Sequence, residues 1–567
     1  MQHNNFDKGT RRALLWIIGA CAMAHIWCLG SQFYLDDLLQ IRDSEYVREL
    51  RFWEKSLSAW TYFWYGVQAK IFGMSPVEFH AVNWLLHTAT ACVLFVSGRD
   101  YLRGRAPEGV AWFGAMLFAV HPLASEIPNY ARTQDLAWVT LFSLLAAWFL
   151  FRAMHGSHWK YLLGSAVCIA GASIAKGPGF MHALLMTSVI GLAFVKPEHW
   201  QRVRKHAWVP SLLILMGGAG LWHFGLLGKA AEWSEPRVIG HAYTLCRVFW
   251  MFVSRSVMPI YLSADHHIAE TLVPPGTVFG IADTTALWAA LGMAAFTLAS
   301  LVLVFRKSTR MTGVCFFLFV GTMLMRFLYF IPEFMPEYRI YPGMPWFCLG
   351  SAILLAGGWR AFIRKSGSIP AALLLGILAV MSAQRSFLYH DVNDLMTDVL
   401  RQYPAQARAI WIMQRNDMDA GRWQQVIDRH QRQFPIVARA FHQENKRLSP
   451  RRELPTGHFA LAEVGCAGLY ARAIAKQVSP QAGMLEINRM EAYMNALHLD
   501  PVAHGIHWSY FHHAKALVLE TAGNYQAAVE FLTIDEIPSA DRKTDLERVV
   551  AKLQQHNGCH YKHADER

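Results

Sequence analysis

Charge is scarce in this chain. Only 17% of its residues are Asp, Glu, Lys or Arg, while 54% are hydrophobic, and that balance excludes an ordinary soluble multidomain protein. Metal-binding cysteine spacing is missing as well. Nine cysteines occur without one Cys-x-x-Cys pair, and most lie inside apolar segments, where the side chain behaves as a small hydrophobe. No Asn-x-Ser/Thr sequon occurs in the 567 residues, which fits a bacterial envelope better than the endoplasmic reticulum. No basic stripe interleaved with aromatics is present, so the net charge of +12 is not read as nucleic-acid binding. In a membrane protein, basic residues collect in cytoplasmic loops instead. The polar, basic start MQHNNFDKGTRR is followed by ALLWIIGACAMAHIWCLG with no small-residue cleavage site, so this run reads as a retained span and not a removed signal peptide.

What the chain does have is a series of apolar segments of bilayer length, about 17 to 25 residues each. They fall near 13–30, 79–98, 109–125, 135–154, 158–175, 178–196, 207–228, 284–306, 312–331, 340–359 and 369–386. A further stretch, 241–263, contains Arg247 and Arg255, each expensive at a bilayer centre. Loop charge decides how to treat it. With the N-terminus inside, RDYLRGRAPEG, FRAMHGSHWK and KPEHWQRVRKH all fall on the inside and all are basic. RKSTR and WRAFIRKSGS join them only if 241–263 does not span. The expectation is therefore an all-α protein: a polytopic membrane domain over 1–388 with about eleven spans, a first outer loop at 31–78, and an amphipathic or re-entrant surface helix at 241–263. The N-terminus is expected in the cytoplasm and a soluble domain, 389–567, on the outer, periplasmic side of a bacterial inner membrane.

The tail after residue 389 changes character. GRWQQVI (421–427) and GNYQAAVEFL (523–532) match the Gly-x-aromatic turn of a tetratricopeptide repeat, and ALHLDP (496–501) matches the end of one. Gly421 and Gly523 are 102 residues apart, three periods of the 34-residue repeat. ALHLDP is out of register with GNYQ, so the expectation is a domain of degenerate helical hairpins. Such a domain offers a groove to protein or peptide, or serves as a lid. Cys466 and Cys559 are the two cysteines of this tail and are candidates for a disulfide in an oxidising compartment.

The topology gathers ionisable residues on the outer face. Asp36 and Asp37 follow the first span, the loop HPLASEIPNYARTQD holds His121, Glu126, Arg132 and Asp135, and Lys176 lies between two later spans. Arg247, Arg255 and His266 belong to the surface stretch, and Arg326, Glu337, Arg339 and Tyr341 lie near the late spans. Ionisable groups at membrane depth mark functional sites by default. For Asp36–Asp37 two readings stand side by side: a helix cap or solvated loop carboxylate, or a general base or divalent-metal ligand. The 121–135 loop reads either as a proline-kinked turn with an internal ion pair or as residues orienting donor and acceptor. The cations need anions, which membrane lipid head groups or a phosphate leaving group would supply.

Four stretches together resemble a known family. YLDD after the first span, FAVHPLASEIPNYARTQDLAWVTLFSLLAAWFLF, SIAKGPG, and MPEYRIYPGMPWF resemble the polytopic glycosyltransferases of the GT-C fold. Among these they are similar to the tetratricopeptide-containing transmembrane protein O-mannosyltransferases and their bacterial relatives. The family's Glu after Lys is replaced by Gly177, and Glu337-Tyr338-Arg339 stands where the family has Glu-Arg-Tyr. The resemblance implies that Asp36 or Asp37 is the catalytic acid/base, the choice open, with His121 and Glu126 in the same pocket and Arg132 and Asp135 orienting substrate. It implies that Lys176 and Arg339 meet the lipid phosphate, helped by Arg247 and Arg255, with Glu337, Tyr341 and His266 in support. The donor it implies is a polyprenyl-phosphate-linked sugar, and the acceptor a Ser or Thr hydroxyl of an exported protein such as a pilin. The same fold acting on lipid A, a polysaccharide or O-antigen is an alternative, as are a transporter and a non-catalytic repeat scaffold. A metal at Asp36/Asp37 is left open.

Overall fold

The computed structural model describes residues 8–55, 58–156, 159–194, 236–266, 268, 284–328, 335–358, 369–448, 458–496, 505–534 and 540–564. Among them the secondary structure is helical, with no strand. The chain divides into two compact units. One comprises Met1–Leu262 with Ile268–Asp391, the other Ser263–His267 with Val392–Arg567.

The first unit is that of an integral membrane protein. Among the described residues, seven helices are long and apolar enough to cross a bilayer: Lys8–Gly30, Pro76–Leu102, Ala131–His155, Thr284–Phe305, Arg310–Phe327, Glu337–Gly357 and Ile369–Leu388. A bent pair, Gly109–Ala119 and Pro122–Asn129, meets at 55° and makes an eighth if taken as one span. Trp159–Ala175 and Gly179–Phe194 are apolar but shorter, and the segment expected to span at 207–228 lies outside the described residues. Over the stretch 241–263 the structure has the helix Pro236–Val257, which is not among the seven. It buries Leu245, Val248, Phe249 and Phe252 and keeps Arg247 half-exposed.

The bend at 119–122 has a local cause. Pro122 lacks an N–H and cannot continue the helix, so the carbonyls before it lose their helical partners. Irregular backbone at membrane depth persists only where protein satisfies it. Ala119 O receives Nε2 of both His25 (3.0 Å) and His87 (3.3 Å), and Val120 O accepts from Ser382 Oγ at 2.8 Å. Farther along, Asn83 Nδ2 lies within hydrogen-bond distance of the Ile127, Tyr130 and Ala131 carbonyls, and His80 Nδ1 donates to Pro128 O at 2.9 Å. Asn129, itself buried, links Ser125 O, Ser31 and Ser386. His80, Asn83 and His87 of the Pro76–Leu102 helix are therefore donors for a broken neighbouring segment.

The second unit is a series of helices from Val392–Gln402 to Ala540–Ala564. Its hairpin turns use the glycines of the two sequence matches. Gly421 has φ +71° and Gly523 φ +77°, with Arg422 N–H bonded to Asp417 O and Asn524 N–H to Leu519 O, the six-to-one closure of a left-handed helix cap. Asp417 is fully buried and bound by Arg422 (2.9 Å) and Arg429 (2.8 Å), which joins consecutive helices across that turn. Cys466 is buried against Ala407, Ile410 and Val437, its Sγ 3.5 Å from Ala407 O. The side chain of Cys559 lies outside the described residues.

Replacing Asn83 by Leu removes the donor shared by three buried carbonyls. An unsatisfied buried polar group costs about 1–3 kcal/mol, so N83L is expected to lower the melting temperature of the detergent-solubilised protein sharply. Leu85→Ala, at a 57% exposed position on the same helix, is expected to leave it close to wild type. Equal melting curves for N83L and L85A would refute this account of the broken segment.

Candidate active site

The segment after the first span turns abruptly at Tyr34–Asp37. Leu35 has φ +50°, a left-handed conformation that costs an ordinary side chain about 1–2 kcal/mol. The turn is closed by Asp37 N–H to Tyr34 O at 3.0 Å. It is locked by the Asp37 carboxylate, which accepts from Tyr34 N–H (3.3 Å) and, across to the other loop, from Arg132 N–H (2.7 Å). Asp37 is completely buried. Burial holds its carboxyl well above the usual carboxylate range, the two N–H donors opposing and the neighbouring Asp36 adding to the shift.

Asp36 goes the other way. It is exposed and lines a cavity of about 290 Å³ together with Arg132, Thr133, Asp135, Lys176, His182, Arg326, Tyr338 and Arg339. Its own N–H donates to the Tyr130 hydroxyl at 3.3 Å. Adjacent residues in the chain thus play opposite parts: one carboxylate is a clamp inside the protein, the other faces the cavity.

The cavity is electrostatically lopsided. Asp135 lies between Arg132 (2.5 Å) and Lys176 (2.7 Å), and Arg132 Nε also meets Gln40. Burial lowers the Lys176 ammonium pKa while Asp135 acts to raise it. Among the described residues, four cationic side chains, Arg132, Lys176, Arg326 and Arg339, line the cavity with two carboxylates, Asp36 and Asp135, a balance that favours an anion. Leu136, Val139, Pro178 and Met325 supply an apolar part of the lining.

Of the residues picked from sequence, Asp36, Arg132, Asp135, Lys176, Arg326 and Arg339 meet at this cavity. The others do not line it. His121 is buried with both ring nitrogens engaged: Nδ1 accepts from Leu123 N–H (3.1 Å), so Nε2 carries the proton and donates to Ser256 O (3.0 Å). Glu126, also buried, accepts from Tyr338 N–H at 2.7 Å. Glu337 is fully buried and paired with Arg385 at 2.6 Å. Tyr341 packs in the core with its hydroxyl 3.0 Å from His87 Nδ1. Arg247 lies on the Pro236–Val257 helix, and Arg255 turns back to the Met251 and Tyr261 carbonyls. His266 belongs to the C-terminal unit, where its Nδ1 is 2.8 Å from the Tyr403 hydroxyl.

The Asp36–Asp37 pair does not converge on one point, because both Asp37 oxygens accept backbone N–H groups. No group of three or more His, Cys, Asp or Glu placed to hold a metal ion occurs among the described residues. Sequence reasoning did not single out His182, Thr133 and Tyr338. His182 was the discoverable one, as a lone histidine in the apolar run GFMHALLM.

Among curated proteins the chain is similar to a protein O-mannosyl-transferase of Caenorhabditis elegans, with 27% identity over 154 residues. The match covers 24% of this chain and 22% of that protein's length. No protein-family model matches the chain, and no solved structure does.

A carboxyl whose pKa is raised by folding stabilises the fold while protonated. Its contribution is full below the unfolded value of about 3.9 and is lost as pH rises through the raised folded value. The wild-type melting temperature is therefore expected to decline with pH above about 4 by more than that of Asp37→Asn. Superimposable pH profiles of the two proteins would contradict the clamp's assigned state.

Proposed function

We propose that this protein is a GT-C-type glycosyltransferase that moves a sugar from a polyprenyl-phosphate donor to a hydroxyl acceptor on the outer face of the membrane. The observation that carries the proposal is the cavity in which Asp36 shares a lining with Lys176, Arg326 and Arg339. A base and an anion-binding wall are what sugar transfer from a phosphate requires. The similarity to a protein O-mannosyl-transferase supports the same reaction class and favours a Ser or Thr hydroxyl of an exported protein as acceptor. The reading includes about eleven spans, a cytoplasmic N-terminus, and a periplasmic helical-repeat domain that presents the acceptor.

In this mechanism the acceptor O–H gives its proton to the Asp36 carboxylate as its oxygen forms a bond to the anomeric carbon. The bond from that carbon to the phosphate oxygen breaks, and its electron pair leaves with the phosphate. Lys176, Arg326 and Arg339 stabilise the charge that develops there. A single displacement inverts the anomeric centre, with base and leaving group on opposite faces of the sugar as in inverting glycosidases. Asp37 holds the turn that points Asp36 into the cavity, and Arg132 and Asp135 position Lys176.

Intact masses of exported proteins from cells with and without the gene test the reading. Asp36→Asn is expected to lower transfer by about 10²–10⁴-fold while melting like wild type. Asp37→Leu, which orphans the Tyr34 and Arg132 N–H groups, is expected to lower the melting temperature. If Asp36→Asn removes no sugar-sized mass from any exported protein or envelope glycan, the assignment fails.

A further inference from the structure

At the end of the Gly179–Phe194 helix away from the cavity, two arginines converge. Arg310 Nη1 donates to Ala193 O at 3.2 Å, and the Arg105 guanidinium stands 4.7 Å from the centroid of the Phe194 ring. Ala193 and Phe194 are the last two residues of that helix, where carbonyls without helical partners favour a cation. That accounts for one arginine and not for two. Among the described residues neither guanidinium has a carboxylate partner: Arg105 otherwise reaches Tyr101 O (3.1 Å), and Arg310 reaches Val304 O (3.1 Å). Partial burial, and then the charge of Arg310, hold Arg105 below its ordinary pKa, as happens when like charges are brought together without an anion. Each guanidinium carries more N–H groups than these contacts use, so both keep donors for a further ligand.

The surroundings indicate which anion. Arg105 is exposed and Arg310 half-buried, with Arg306 and Lys307 exposed in the turn before Arg310. Arg105 comes from RDYLRGRAPEG and Arg310 from RKSTR, two basic stretches expected on one side of the membrane. Arg310 folds back onto the last turn of Thr284–Phe305, one of the bilayer-length helices, and there Phe305 is 75% and Val302 45% exposed. A dissolved anion gains nothing from that apolar face, whereas a lipid brings a phosphate and acyl chains together. Basic pockets between membrane helices recognise such head groups, and arginine's planar fork matches phosphate oxygens. We infer that Arg105 and Arg310 form a binding site for the phosphate of an anionic membrane phospholipid, whose acyl chains lie along the Val302–Phe305 face. The site is independent of the proposed reaction. The Gly179–Phe194 helix between it and the cavity has 16 residues, which sets the two about 24 Å apart.

The test is native mass spectrometry of the full chain in detergent, titrated with dioleoyl phosphatidylglycerol. Dioleoyl phosphatidylcholine, with the same acyl chains and a zwitterionic head, is the control. Wild type is expected to bind the anionic lipid about tenfold more tightly than the control. Arg105→Gln is expected to lower that affinity about five- to tenfold and to leave binding of the control unchanged. Lys70→Gln, which removes one exposed cation from the Ala59–Phe72 helix, is expected to behave like wild type. Arg310→Gln is expected to show the same loss as Arg105→Gln, but it also gives up contacts to Val304 O and Ala193 O. Should it fail to fold, Arg105→Gln decides. Equal binding of the two lipids by wild type, wild-type affinity in Arg105→Gln, or the same loss in Lys70→Gln each overturns the inference. Displacement of the anionic lipid by millimolar inorganic phosphate would assign the site to a free anion and overturns it as well.

Discussion

Between Ala119 and Arg132 the backbone of the membrane unit is not a continuous helix, and every carbonyl released there must find a donor inside the protein. Hydrocarbon offers none. His25, His80, Asn83, His87 and Ser382, drawn from three different helices, donate to or lie within bonding distance of those carbonyls. Their combined effect is to make an irregular segment rigid. That segment ends in Arg132, Thr133 and Asp135, so the positions of three cavity-lining residues follow from where the donors stand. The same requirement accounts for His121, whose ring is consumed in bonding the backbone on both sides.

Buried carboxylates perform the second level of fastening. Asp37 ties the segment after the first long helix to Arg132, Glu126 ties the broken segment to Tyr338, and Glu337 ties the start of a late helix to Arg385. A carboxylate taken out of water must be paired or multiply hydrogen-bonded, so each of these acids is costly unless the segments it joins stay together. Three elements far apart in sequence are thereby held around one cavity. Asp135 serves both purposes, held between Arg132 and Lys176 while lining the cavity itself.

Much of this architecture was legible in the amino-acid order. Apolar runs of bilayer length, the change of character near residue 390, and the glycines at 421 and 523 are local properties, and the helices and left-handed turns observed there follow from them. The clustering of Asp36, Arg132, Asp135, Lys176 and Arg339 was also within reach, because the spans and loop charges expected from the sequence assign those stretches to a common side. His121 and Glu126 were read as members of the same pocket, with Glu337 and Tyr341 in support, and their chemistry gave no sign otherwise. An acid that clamps a loop and an acid that takes a proton are the same residue type at the same kind of position.

By itself, then, the sequence determined the apolar runs that form long helices and the connecting stretches that carry the ionisable side chains, since hydrophobicity and helical periodicity act residue by residue. Only the tertiary structure distinguished the surroundings of Asp36 from those of Asp37. A left-handed Leu35 and a backbone N–H from a loop 95 positions later turn one carboxylate inward and leave the other facing the cavity. It alone also brought His182 from an apolar helix to that cavity. In both cases the deciding contact joins distant parts of the chain, and no pattern within either part encodes the direction of a side chain.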